Sequence, residues 1–242
     1  MKSLRVFSIT FLGLILASVA YTEPVSYISE EEFLSDLADL GLTPVHEGFE
    51  DDAAWGGVRS SIVGGNSAAS SVSNHGITWT VNNLSSQVTT GSGAARTGEW
   101  GLYSSPHGSY PHPDPGANCL NPGECGDGIR ARIDSGEFYA AAGWFRTNTP
   151  FAELGMFIEQ YPDNAIDFGE TCDNQGENCL ANDVLGTQLQ FFGVIDPEGF
   201  TQFEFRELEG TAEDAKFIFA DDFYLAGSTI SSASRSSIWA LH

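Results

Sequence analysis

The sequence predicts an all-β protein: a two-sheet β-sandwich of the jelly-roll type, with one short amphipathic helix near its N-terminus. Three observations predict it. From residue 43 onward, short runs of aromatic and β-branched residues are bounded by Gly, Asn, Asp and Pro, the signature of strands and turns. Only one segment carries helical periodicity. The chain has 242 residues, enough for one large core, and no internal repeat or linker divides it.

Residues 1–20 open with Lys2 and Arg5, continue as an apolar run from Val6 to Ala17, and close on Ser18-Val19-Ala20. That order is the pattern of a secretory signal peptide, with cleavage expected after Ala20. The apolar run is too short to serve as a membrane span, and residues 228–242 read as a polar tail with no anchor. The expected destination is the periplasm or the medium, as a bacterial secreted protein. Residues 21–44 form an N-terminal segment containing a helix over 29–41. Ser29 and Glu32 make a capping box, Glu30 and Glu31 suit the positive end of the dipole, and Gly41 is the natural stop. Phe33, Leu34, Leu37 and Leu40 share one apolar stripe.

The sandwich domain is expected over 45–227. Its strands are placed at 45–50, 77–81, 87–90, 101–104, 128–133, 138–146, 152–159, 187–194, 201–207 and 215–225. Residues 60–75 and 104–128 are loops by composition, the second rich in Pro and Gly and carrying two His. The last strand ends in consecutive carboxylates. Strict alternation places Asp221 on one face with Phe217, Phe219 and Phe223, where an unpaired charge would cost several kcal/mol. It therefore needs a cation, a set of donors, or the end of the sheet.

The charge balance is strongly acidic. Without Lys2 and Arg5 the basic count falls from 10 to 8 against 33 acidic residues, a net charge of about −25. Such a field repels nucleic acid and anionic membranes, and it disfavours polyanionic ligands unless a local basic patch or a bound cation offsets it. Four cysteines fall in two close pairs, Cys119 with Cys125 and Cys172 with Cys179. Three connectivities are open to them, and the local one is expected in an exported chain. No zinc spacing is present.

The stretch from Glu47 through Gly48, Phe49, Glu50, Asp51 and Asp52 to Trp55 resembles the opening of secreted jelly-roll carbohydrate-binding modules. The finish, Phe217 to Leu225 with its Asp221-Asp222 pair, resembles their last strand. A fuller likeness, over residues 29–226, is to the exported jelly-roll domains of bacterial PEP-CTERM-type proteins. They share the helix ahead of the Phe-Glu strand and the unit Phe191-Phe192-Gly193-Val194-Ile195 followed by Gly199 to Phe205. The C-terminal sorting signal of that group is absent. The resemblance implies a concanavalin- or galactose-binding-like sandwich and a calcium site joining the first and last strands. Glu50 would be the first-strand ligand, Asp221 or Asp222 the last-strand ligand, and Asp52 would stand close by. Calcium suits such a set because it takes six to eight oxygens from carboxylates, carbonyls and water.

Two further constellations remain. Trp55, Trp100, Tyr103 and Tyr110 are candidates for stacking against sugar rings, whereas Trp79 and Trp144 lie in apolar runs that suit a core. His107, Tyr110 and His112 could act as an acid/base set if they met Arg130 or Arg146, either of which could neutralise a substrate carboxylate. No nucleophile elbow, zinc-protease motif, P-loop or dinucleotide fingerprint occurs. The leading expectation is a monomeric carbohydrate-binding module for a polysaccharide or other glycan. The alternatives are a polysaccharide lyase or hydrolase, and a non-catalytic adhesion or structural domain, which a broad exposed apolar patch would mark.

Overall fold

The computed structural model describes residues 23–60, 69–81, 88–103, 128–147, 153–158, 166–170, 189–207 and 218–228. The signal segment, the four cysteines and the loop bearing His107, Tyr110 and His112 lie outside them. In chain order the elements begin β1 (Val25–Tyr27), α1 (Glu30–Asp39), β2 (Val45–Glu47) and α2 (Asp52–Trp55). A 3₁₀ turn at Gly56–Val58 leads to β3 (Arg59–Ser60), β4 (Val72–Asn74), β5 (Ile77–Val81), β6 (Thr89–Gly91) and β7 (Gly101–Tyr103). Then come β8 (Gly128–Ile133), β9 (Phe138–Thr147), β10 (Glu153–Ile158) and β11 (Ile166–Glu170). The last are β12 (Gln190–Phe200), β13 (Gln202–Glu207) and β14 (Ile218–Gly227). No helix among the described residues is long and apolar enough to cross a membrane.

These strands form two sheets. One has the order β1-β12-β9-β14-β7-β6-β3, with β2 also pairing β14; the other runs β11-β10-β13-β8-β5-β4. All pairings are antiparallel except β3 with β6. The fold is the expected all-β, two-sheet sandwich. Its central strand is β14, which pairs with β9 along one side. Its other side is shared, first by β7 through Phe219 and Ala220, then by β2 through Phe223, Tyr224 and Leu225.

The core between the sheets is mostly aromatic. Phe138, Phe145, Phe192 and Phe223 from one sheet meet Trp79, Phe168, Phe203 and Phe205 from the other. Phe145 stacks on Phe205, with centroids 3.4 Å apart, and Trp79 meets Phe223 edge-on at 4.9 Å. Each such ring removes a large apolar area from water, about 1.5–3 kcal/mol of transfer free energy apiece. Trp79 is core, as its sequence context indicates. So is Trp55, which packs between Phe49 and Trp79 at 4.8 and 6.1 Å.

The outer face of the larger sheet is closed by α1. Ser29 caps the helix by accepting from the Glu32 N–H. At the other end the Gly41 and Leu42 N–H groups donate to the Ala38 and Leu37 carbonyls, with Gly41 at φ 71. That is a Schellman stop, and the left-handed position is why glycine stands there. Phe33 and Leu37 then bury against Ala140, Ala142, Phe191 and Ile195. The small residues of β9 and β12 make the seat. A Cβ added at Gly193 would lie 2.6 Å from the Ala142 Cβ and 3.1 Å from the Phe33 ring. Alanine normally stabilises a strand position relative to glycine. Here Gly193→Ala should lower stability by about 1–3 kcal/mol through overpacking. Urea denaturation of the two proteins checks the sign; a neutral or stabilising result would mean that α1 is free to shift outward.

Candidate functional site

Two polar assemblies stand on opposite outer surfaces of the sandwich. The first surrounds Asp221 and Asp222, at the point where the edge of β14 passes from β7 to β2. The β14–β9 register shifts between Asp221 and Tyr224, and Asp222 has φ 50. This β-bulge adds one residue to the strand and resets the alternation. Ile218 and Ala220 face the core ahead of it, and Phe223 and Leu225 after it. Asp221 therefore shares its face with Phe219 but not with Phe223, correcting the strict alternation expected from sequence. Both carboxylates stand on the outward side, beneath the loop 94–100.

That loop supplies their partners. Asp221 Oδ2 accepts from the backbone N–H groups of Arg96 and Thr97 at 2.6 and 3.0 Å, and Oδ1 accepts from the Asp222 N–H at 2.8 Å. Arg96 and the Thr97 hydroxyl donate to Asp222 Oδ2 and Oδ1, each at 2.8 Å. His46 Nε2 lies 2.9 Å from the same Oδ1. Arg96 also lies 3.5 Å from Glu30 and 3.8 Å above the Trp144 ring, a cation–π contact. The Tyr224 hydroxyl donates to Glu30. Burial first, then Glu30, pushes the Tyr224 phenol up to about 12, which keeps it protonated as a donor. Helix α1, strands β2 and β14 and loop 94–100 are thus tied by one charged network.

The acidic cluster at the end of β2 is held in a similar way. Glu47, buried, accepts from the Phe49 N–H and from Asn74, each at 2.7 Å, joining the first sheet to β4 of the second. Glu50 Oε1 accepts from the Glu99 and Trp100 N–H groups at 2.8 Å. Asp51 caps α2, and Asp52 pairs with Arg59 at 2.8 Å. Glu50, Asp221 and Asp222 therefore approach neighbouring parts of one loop, but no three acidic, His or Cys groups gather as a metal-holding set among the described residues. Arg96, which sequence reasoning missed, occupies Asp222. The signal that could have found it was the requirement that a buried acidic pair have a cation or donors.

The aromatic candidates divide. Trp55 and Tyr103 are buried, so neither offers a ring face to a sugar. Trp100 is half-buried and carries the Arg59 guanidinium 4.6 Å from its ring centre. Trp144 is also half-buried, on the outer face under Arg96 rather than in the core between the sheets.

The second assembly covers the outward face of the smaller sheet. Ile129, Ala131 and Ile133 of β8 point into the core, which turns Arg130 and Arg132 outward. The pairing registers align Phe157, Glu204, Arg130 and Thr80 in one row across four strands, with Gln202, Arg132 and Thr78 in the next. Arg130 donates to the Gln202 side chain at 2.8 Å, and the Thr78 hydroxyl donates to Asp134 at 2.8 Å. Burial grades across the first row: Phe157 and Glu204 are buried, Arg130 and Thr80 half-buried, and Arg132 in the next row is exposed. Burial lowers the Arg130 pKa; Glu204 opposes the shift and Arg132 adds to it. Arg146 lies on the other sheet, donating to the Gly93 carbonyl and stacking over Phe219 at 4.1 Å. Arg130 and Arg146 therefore share no groove.

The chain matches no family model, and no curated protein matches it. Two solved structures have low similarity to it. The K1 cleaved adhesin domain of Lys-gingipain from Porphyromonas gingivalis W83 has a TM-score of 0.41 and 14% identity, covering 77% of this chain and 99% of that one. TmCBM61 in complex with β-1,4-galactotriose has a TM-score of 0.30 and 11% identity, covering 75% and 99%. Likeness at this level assigns neither function nor site.

Asp221 provides a test of the first assembly. Burial raises its pKa from 3.8 to about 7, against the pull of the N–H donors and with a smaller push from Asp222. A raised folded-state value means that the folded protein holds a proton which the unfolded chain releases above about pH 4. The stabilisation is complete below that pH and is lost as pH rises through 7, up to about 4 kcal/mol in all. Urea midpoints measured from pH 4 to 8 should fall more steeply for the wild type than for Asp221→Asn. Identical profiles would mean that the three N–H donors outweigh burial and keep the carboxylate ionised.

Proposed function

We propose that the protein is an exported, non-catalytic carbohydrate-binding β-sandwich, whose glycan-contacting surface is the outward face of the smaller sheet. The observation that carries this reading is the pair of polar rows across β10, β13, β8 and β5, on the side of the sandwich opposite α1. Thr78, Thr80, Gln202, Arg130 and Arg132 offer donors and acceptors in the spacing of a pleated sheet, which suits a chain of sugar hydroxyls. The graded burial supports the same reading, because hydrogen bonds to a ligand gain strength where water is partly excluded. Export rests on the signal-peptide pattern of residues 1–20.

The adhesion alternative gains little support. The exposed large apolar side chains among the described residues are Val25, Ile28 and Leu40, short of the broad patch that such a role needs. A lyase or hydrolase would need His107, Tyr110 or His112 to meet Arg130 or Arg146 in one groove, and those three residues lie outside the described ones.

Calcium at the joined ends remains part of the proposal. An ion on Asp222 would compete with Arg96, and one on Asp221 or Glu50 would compete with backbone N–H groups. Thermal melting in Ca²⁺ and in EDTA separates the possibilities. A midpoint several degrees higher in Ca²⁺ supports a structural ion, since a ligand of the folded state alone stabilises it. An unchanged midpoint assigns the closure to Arg96 and its neighbours.

Affinity electrophoresis through gels containing neutral or acidic polysaccharides tests the binding reading. The mature protein should be retarded in at least one gel, and the double variant Thr80→Val, Gln202→Ala should lose that retardation while keeping its melting midpoint. Normal mobility in every gel, or retardation indifferent to the double variant, would overturn the assignment of this face.

A further inference from the structure

β1 is the open end of the larger sheet. Its strand neighbour is β12, with Val25, Ser26 and Tyr27 opposite Ile195, Val194 and Gly193, and the pairing carries no bulge. The edge turned away from β12 keeps backbone donors and acceptors that no described residue meets, a template for pairing with another strand. Edges are commonly guarded by Lys, Pro, bulges or brevity. β1 is short and Pro24 stands before it, which limits a partner to a few backbone hydrogen bonds. It carries no cation, and two of the three exposed large apolar side chains among the described residues, Val25 and Ile28, lie on it or directly after it.

Helix α1 lies over one side of this edge. Tyr27 meets Phe33 edge-on at 5.5 Å, and its hydroxyl donates to Asp36 at 2.8 Å. Val25, two residues earlier, therefore faces the helix side as well. Between strand and helix runs an open cleft of about 590 Å³, lined by Tyr27, Ser29, Glu31, Glu32, Ser35 and Asp36. Glu31, Glu32 and Asp36 are exposed, and so is Glu23 ahead of the strand. None of these four carboxylates joins an ion pair among the described residues, whereas Glu30 beside them is bound to Arg96.

We propose that this edge accepts an extended segment of a basic partner protein as an added strand, whose alternate Lys or Arg side chains meet Glu31, Glu32 and Asp36. Backbone pairing sets the register, and charge selects the partner. A strand that continues the sheet directs every second side chain to the helix side, which places its cations in the cleft. The chain's 33 acidic against 10 basic residues draw such a partner from a distance and repel a second copy. Because few backbone bonds are available, affinity depends on the carboxylates and is salt-sensitive. The site is separate from the glycan face, and neither reading needs the other.

The test is fluorescence anisotropy of a labelled, acetylated short peptide alternating Lys and Thr, titrated with the mature protein at low salt. Two other peptides accompany it. The N-methylated form keeps the charge and loses every backbone donor, and a peptide alternating Glu and Thr reverses the charge. The Lys–Thr peptide should bind and the other two should not. Binding should weaken at least about fivefold in the double variant Glu31→Gln, Glu32→Gln, the loss of two exposed ion pairs. It should weaken further in Val25→Lys, which sets a like charge on the edge itself. All three positions are exposed, so the variants should keep the circular dichroism of the wild type. No binding, equal binding of the N-methylated or the acidic peptide, or binding indifferent to these substitutions overturns the proposal. So does a dimer of the protein alone that Val25→Lys dissolves, which would make a second copy the occupant.

Discussion

The β-bulge at Asp221 and Asp222 is the constraint on which the rest of the larger sheet depends. One edge of β14 has to serve two partners, β7 and β2, that approach it from different parts of the chain. Between them the ladder lacks a neighbour, and the two aspartates fill the gap from above. Asp221 satisfies backbone donors of loop 94–100 that a continuous strand would otherwise have met. Asp222, almost fully buried, then needs a cation, and Arg96 from the same loop is that cation. Removing Arg96 would leave the buried Asp222 carboxylate without its cation, which costs more than the pair contributes when intact.

From that seam the two surfaces of the sandwich acquire different characters. On one, α1 lies in the shallow trough made by Ala140, Ala142 and Gly193, and Glu30 at its first turn reaches the network around Arg96. The surface there is occupied by the protein itself. On the other, β8 and β13 present arginine, glutamine and glutamate at register positions whose partners across the strand are threonine and phenylalanine. The aromatic interior between the sheets holds these faces at fixed separation and gives neither freedom to slide.

Much of this was legible in the chain. The capping box at Ser29, the apolar stripe and Gly41 located the helix because its signals are local, and the alternation in 128–133 and 201–207 marked the strands that build the polar face. What escaped has physical causes. β1, β3 and β4 are strands of two or three residues, too short to show a period. The bulge inverted the faces at the one place where alternation was trusted most. Trp55 follows an acidic turn and looks exposed, yet α2 folds it back under Phe49. Arg96, in a Gly- and Ser-rich turn, announces nothing by itself; only its distant partners give it a role.

The position of β14 also sets an order of events in time. It lies in the middle of its sheet although it is the last described strand of the chain, so β9 and β7 face an unfilled slot until residues 218–227 arrive. A ribosome delivers those residues late, and most of their partners lie tens to more than a hundred residues upstream, the kind of non-local pairing that folds slowly. Until then the Phe49, Trp79, Phe145 and Phe203 side chains lack the wall that Phe223 completes. The larger sheet is thus closed at its centre rather than at its edge, by a strand made after both of its neighbours.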